Sequence, residues 1–152
     1  MKVIGFRNSP SSIRYCILEG DENNFTFKNK NGEHRICFPK RLSSMTKKVE
    51  WAYREIKRVI NRVEPDSIGL KLNENIRTTY STMKKTAYID SLIFLLAGQL
   101  DITLNDYLYT SLGTNSRNVK SDAEGKVGKT NKYWNKKAAD AVVSAWKTIK
   151  ES

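Results

Sequence analysis

The strongest constraint on the fold is a change in hydrophobic periodicity between Phe38 and Val49. Before it, apolar residues stand in short strand-like runs, and Asn31-Gly32 predicts a tight hairpin turn between two of them. After it, apolar residues up to Val63 recur three or four positions apart, which is the spacing of one helix face. Strands followed by an amphipathic helix need a sheet on which that helix can pack.

The rest of the chain alternates between short strands and helices. It contains an apolar strand at 67–72, a largely apolar helix at about 82–100, a short strand at 102–104, a polar glycine-containing loop at 113–129 and a helix from about 130. This order predicts an α/β fold with a mixed five-stranded sheet, whose first three strands are antiparallel, and three helices packed on it. At 152 residues, we expect a single domain that spans residues 1–152.

The chain is strongly basic, with 27 Lys and Arg against 16 Asp and Glu and a net charge of +11. This excess predicts attraction to a polyanion, chiefly nucleic acid, and a solvated basic surface is the alternative. No apolar run approaches the roughly 18 residues of a membrane span, and the N-terminal apolar run is too short for a signal peptide. We therefore expect a cytoplasmic protein that does not contact membranes.

Positive charge is concentrated between Gly113 and Lys137, where seven Lys and Arg residues oppose two acids. Tyr133 and Trp134 are interleaved with these cations, and aromatic rings beside cations suit base stacking and phosphate contact. The alternative for Trp134 is that it packs the last helix onto the sheet. The residues expected to bind nucleic acid are Arg117, Lys120, Lys126, Lys129, Lys132, Trp134 and Lys136.

Four short motifs resemble those of one nuclease family. Ile4–Ser9 resembles a first strand that ends in Gly-apolar-Asp, and Arg62–Lys71 resembles a Pro-Asp-x-apolar-Glu strand. Gly125–Lys129 resembles a glycine-rich loop, and Ala138–Ala141 resembles the closing helix motif Asp-Ala-Ala-Asp-Ala. In this order, over most of the chain, the motifs resemble the RNase H-like superfamily and, within it, the RuvC-type Holliday-junction resolvases. The resemblance implies the RNase H-like arrangement of the sheet.

The family's site has four carboxylates that hold two divalent ions, and the resemblance implies a degenerate form of that site here. The first three acids fall on Arg7, Lys71 and Lys137, and only the last, Asp140, is retained. Charged Arg and Lys side chains have no lone pair to give to a metal. We therefore expect no catalytic residues, metal or other cofactor, and we expect one of the three cations to pair with Asp140.

Three functions are open from the sequence. The first is a catalytically inactive RuvC-like protein that binds nucleic acid, DNA rather than RNA, without cleaving it. The second is an active, metal-dependent, structure-specific nuclease with ligands rearranged onto residues such as Glu74, Asp90 or Asp106. The third is a protein-interaction module for an acidic partner. The apolar helix at about 82–100 is compatible with a homodimer, and burial in the monomer core explains its composition equally well.

Overall fold

A computed structural model describes residues 1–74 and 78–152, and these residues form a six-stranded mixed sheet. The strands are β1 (Lys2–Asn8), β2 (Ser12–Gly20), β3 (Phe25–Phe27), β4 (Arg35–Cys37), β5 (Ser67–Lys71) and β6 (Thr103–Tyr107). Their order across the sheet is β3-β2-β1-β5-β6, and β4 also pairs with β2. β1 and β2 are antiparallel, whereas β1, β5 and β6 run parallel. The mixed α/β sheet expected from the sequence is confirmed.

Helices cover both faces of this sheet. They are α1 (Met45–Val63), α2 (Tyr80–Leu100), α3 (Tyr109–Leu112), α4 (Val119–Lys126) and α5 (Lys136–Glu151). One core lies between the sheet and α1 and α2, and a second lies between the sheet, α4 and α5. Of the helices in the described ranges, none could span a membrane.

The described part of the chain has five helices rather than the three expected from the sequence, because α3 and α4 were not expected, and α5 begins later than expected. The segment 113–129 is not a loop throughout, because it contains α4, whose Val119 and Ala123 are buried against α5. Two buried apolar residues in an eight-residue helix give too weak a periodicity to predict it. The last helix begins at Lys136 rather than near Thr130, because the Asn135 side chain caps it by accepting from the Ala138 amide.

The expected hairpin at Asn31-Gly32 is wrong, because β3 and β4 both pair with β2. β3 lies beside Leu18–Gly20, and β4 lies beside Ser12–Arg14. Between them the buried Asn29 side chain accepts from the Ile17 amide and donates to the carbonyls of Tyr15 and Glu33. Asn29 thus replaces strand pairing along the middle of β2, and β4 becomes a sixth strand beyond the five expected.

Close packing fixes α5 over the centre of the sheet. A Cβ atom at Gly5 would lie 2.7 Å from the Ala145 amide nitrogen, and one at Gly69 would lie 2.6 Å from the Ser144 carbonyl oxygen. Only glycine allows the helix and strands to approach this closely. The N-terminal part of α5, which carries Asp140, is thereby held against the carboxyl ends of β1 and β5.

α2 is only partly buried. Leu92, Ile93 and Leu96 pack into the core, whereas Phe94 and Leu95 are 46% and 49% exposed. Burial within the monomer therefore explains only part of the apolar composition of this helix.

Candidate functional site

A groove of about 1090 Å³ lies where the carboxyl ends of β1 and β5 meet the start of α5. Arg7, Lys71, Lys137 and Asp140 all line it. β1 and β5 are parallel neighbours, so their carboxyl ends bring Arg7 and Lys71 to the same edge of the sheet. The four positions related by the sequence motifs therefore converge at one site.

Asp140 is buried and engaged by two donors. Arg7 Nε lies 3.0 Å from its Oδ2, and the Tyr109 hydroxyl donates to its Oδ1 over 2.8 Å. Burial raises the pKa of Asp140, and the charges of Arg7 and Lys71 and the Tyr109 hydrogen bond oppose that rise. The pairing of Asp140 with one of the three cations is confirmed, and that cation is Arg7.

Lys71 forms a second ion pair. Its buried Nζ donates to Glu74 Oε2 over 2.7 Å and to the Leu72 carbonyl over 2.5 Å. Burial lowers the pKa of Lys71, and the hydrogen bond to Glu74 and the charge of Asp140 counteract this. Both charges in this pair are therefore already partnered within the protein.

Tyr109 joins the two ion pairs, and sequence reasoning missed it. Its hydroxyl contacts Asp140, its ring lies 3.8 Å from Lys71 Nζ, and its amide donates to Glu74 over 2.6 Å. The available signal was its place just after β6, because β6 is parallel to β5 and ends at the same edge of the sheet.

The donor set of this groove does not fit the two-metal centre that the fold family implies. Its carboxylates, Asp140 and Glu74, are each held by a cation and a hydrogen-bond donor. Among residues 1–74 and 78–152, no three His, Cys, Asp or Glu residues are grouped so that they could hold a metal. Asp90 instead accepts from Asn8 over 2.8 Å, and Asp106 is exposed and does not line the groove.

The residues expected to bind nucleic acid fall into two groups. Arg117 and Lys136 line the groove. The exposed lysines outside it are Lys120, Lys126, Lys129 and Lys132. Trp134 is partly buried against the α5 core, and its Nε1 donates to Glu124 over 2.7 Å. Trp134 therefore packs within the protein, as in the alternative to nucleic-acid contact.

Comparisons with known proteins define the fold. No protein-family model and no curated protein sequence matches the chain. Thermus thermophilus RuvC, solved in complex with a Holliday junction substrate, matches with a TM-score of 0.78 and 13% identity, over 97% of this chain and 91% of that one. The Fowlpox virus resolvase, solved with its substrate Holliday junction DNA, matches with a TM-score of 0.57 and 16% identity, over 99% of this chain and 98% of that one. The yeast mitochondrial Holliday junction resolvase Ydc2 matches with a TM-score of 0.56 and 14% identity, over 97% of this chain and 78% of that one. The chain therefore has the RNase H-like fold of the RuvC-type Holliday junction resolvases.

Proposed function

We propose that this protein is a catalytically inactive RuvC-like protein that binds nucleic acid, and DNA in particular, without cleaving it. The observation that carries the proposal is the Arg7–Asp140 ion pair at the edge of the sheet where the resemblance implies metal ligands. Support for the ligand class comes from the net charge of +11 and from two structural neighbours solved with Holliday junction DNA.

The absence of cleavage follows from charge. Two-metal nucleases hold two divalent ions with clustered carboxylates. Here Arg7 and Lys71 add positive charge within hydrogen-bond distance of Asp140 and Glu74, the acids available in the groove. Unit charges about 4 Å apart interact by several kcal/mol in a partly shielded site, so these cations neutralise the two acids and leave no net negative charge to hold a divalent ion.

A metal titration and a cleavage assay test this proposal together. We expect no cleavage of four-way junctions, flaps or RNA–DNA hybrids with Mg²⁺ or Mn²⁺, and no calorimetric signal when Mn²⁺ is titrated into the protein. Asp140→Asn is the matched control, because it removes the one retained acid with little change in shape. Tight Mn²⁺ binding that Asp140→Asn abolishes would overturn the proposal, and metal-dependent cleavage alongside it would show an active nuclease instead.

The DNA surface is proposed to run from the groove, with Arg117 and Lys136, onto the exposed lysines of α4 and the segment that follows it. Reversing Lys126, Lys129 and Lys132 to Glu should weaken DNA binding and flatten its salt dependence, because each lost phosphate contact lowers the slope by about one. The control reverses Lys47, Arg54 and Lys57 on α1, which packs on the opposite face of the sheet. Both variants have the same net charge, so equal losses in the two would mean that only overall charge matters.

Self-association through α2 is part of the proposal. The exposed residues of this helix include a continuous set of apolar and small side chains: Met83, Ala87, Tyr88, Ser91, Phe94, Leu95 and Gly98. They recur at helical spacing, so they form one exposed face. A contiguous apolar face of this kind is typical of an interface, and a second copy of the chain would bury it by two-fold pairing.

A further inference from the structure

Three arginines stand in one row across three neighbouring strands. Arg7 on β1 is directly opposite Arg14 on β2, and Arg14 is directly opposite Arg35 on β4. Residues paired in this way project from the same face with their Cβ atoms roughly 5 Å apart, and like charges so placed repel. The row therefore needs partners of opposite charge, and the three side chains differ in whether they have one.

The outer two arginines, Arg7 and Arg35, each have a partner for the guanidinium group. Arg7 pairs with Asp140, and the Arg35 guanidinium lies 3.5 Å from the centre of the Tyr133 ring. Arg14, between them, is 7% exposed and donates from one terminal nitrogen to the Tyr133 carbonyl over 3.0 Å. Within residues 1–74 and 78–152, its buried Nε has no hydrogen-bond partner and its charge has no acid in ion-pair contact. Residues 75–77 contain no acid in the sequence.

Lys137 adds a second cation beside Arg14. It is partly buried and lines the same groove as Arg14, and it forms no ion pair with any residue in the described ranges. Burial and the charges of Arg7 and Arg14 lower the pKa of Lys137. A buried charge without an acid in ion-pair contact is costly, and Arg14 is such a charge. The charge of Asp140 partly opposes the fall in the pKa of Lys137, but Lys137 has no ion-pair partner among the described residues and lines the same groove.

We propose that Arg14 and Lys137 form a subsite that binds one backbone phosphate of the nucleic acid. This rests on the proposed function and assigns to these two residues one phosphate contact within the groove. A phosphodiester carries one negative charge and acceptor oxygens, which suit the guanidinium of Arg14, whose side chain lines the groove, and the Lys137 ammonium. Tyr133 positions Arg14, because its backbone, at φ 56°, presents the carbonyl to Arg14 while its ring stacks with Arg35.

The first test measures binding of a four-way DNA junction over a range of salt concentrations. Arg14→Gln and Lys137→Gln should each weaken binding roughly 10- to 100-fold, which corresponds to loss of one charged hydrogen bond, and should lower the salt slope by about one. The control is Lys150→Gln, which removes a lysine from α5 about 20 Å from Lys137. Its DNA affinity should stay within about twofold of that of the unmodified protein.

A second measurement separates binding from folding. Arg14→Gln removes a buried charge that no acid offsets, so its melting temperature without DNA should equal or exceed that of the unmodified protein. A residue needed only for folding would lower it. Single neutral methylphosphonates placed along the junction should identify one position whose effect disappears in Lys137→Gln, as expected for groups in direct contact.

The outcomes distinguish the two proposals. If the unmodified protein binds neither DNA nor RNA, the proposed function fails. If it binds DNA and both variants behave like Lys150→Gln, only the phosphate subsite is wrong. Inorganic phosphate at matched ionic strength is the final probe. If it stabilises the unmodified protein but not Arg14→Gln, while DNA binding is the same in both, the groove takes free phosphate and the assignment to nucleic acid is overturned.

Discussion

The carboxylate of Asp90 gives a prediction that can be worked out quantitatively. This residue of α2 is 8% exposed, and its Oδ1 accepts from Asn8 Nδ2 over 2.8 Å. Burial raises the pKa of Asp90 to about 6, although the Asn8 hydrogen bond and the charges of Arg7 and Lys71 oppose the rise. An ordinary aspartate has a pKa of 3.8.

The direction of the resulting pH dependence of stability follows from proton binding. In the unfolded chain Asp90 loses its proton near pH 4, whereas in the folded protein it keeps that proton until about pH 6. Between these values the folded state binds more protons, so its stability falls as the pH rises. A difference of about two pH units, at about 1.4 kcal/mol each, amounts to about 3 kcal/mol of lost stability above pH 6.

Asp90→Asn should remove this pH dependence, because an amide stays neutral throughout. The substitution also supplies an N–H group beside Asn8 Oδ1, a buried acceptor that has no partner in the described part of the chain. The free energy of unfolding of Asp90→Asn, minus that of the unmodified protein, should therefore increase by about 2.5 kcal/mol between pH 4 and pH 7, most of the full difference of about 3 kcal/mol.

The measurement is urea denaturation followed by circular dichroism at half-unit pH steps. Asp106→Asn, which removes an exposed carboxylate, is the control and should reproduce the pH profile of the unmodified protein. Other carboxylates titrate in the same range, but they are common to the proteins and cancel in the difference. A difference for Asp90→Asn that stays constant from pH 4 to pH 7 would refute the reasoning.

Three further predictions concern assembly, packing and the site. Phe94→Glu should convert a dimer into a monomer in sedimentation velocity, because it places a charge on the exposed face of α2; an unchanged mass would argue against that interface. Gly5→Ala should lower the free energy of unfolding by roughly 3 kcal/mol, since its Cβ would crowd Ala145, whereas Gly125→Ala, with open space around it, should raise it by about 0.5–1 kcal/mol. Arg7→Asp, Lys71→Glu and Lys137→Asp together should create Mn²⁺ binding detectable by calorimetry, with lower stability in the metal-free state because the acids then repel one another.

Much of the fold was predictable because its signals are local. The apolar strands around Gly5 and Gly69 and the Ala-rich start of α5 show the composition of buried elements in close contact. Their order specified a mixed sheet, and the shared edge of β1 and β5 followed from that order. The convergence of Arg7, Lys71 and Asp140 therefore depended on motif positions that the sequence shows directly.

The arginine row could not be predicted, because it depends on pairing between strands. The sequence places Arg14 and Arg35 in separate strands, and the expected hairpin would have paired β4 with β3 instead of β2. The side chain of Asn29, which redirects the chain so that β4 reaches β2, has no sequence signature that distinguishes it from a surface asparagine. Burial of Arg14 follows from that pairing and is visible only in three dimensions.

The balance of charge in the groove supports both the proposed lack of metal-dependent cleavage and the proposed phosphate subsite. Arg7 and Lys71 are matched one to one by Asp140 and Glu74, so these two pairs leave no net charge. Arg14 and Lys137 line the same groove and have no such partner in the described ranges, so they leave an excess of positive charge there. A pair of divalent cations would add to this excess, whereas a phosphodiester would offset it. With Arg7, Lys71 and Lys137 at the positions where the resemblance implies metal ligands, the proposed ligand of the site is therefore the phosphate itself rather than an ion that binds phosphate.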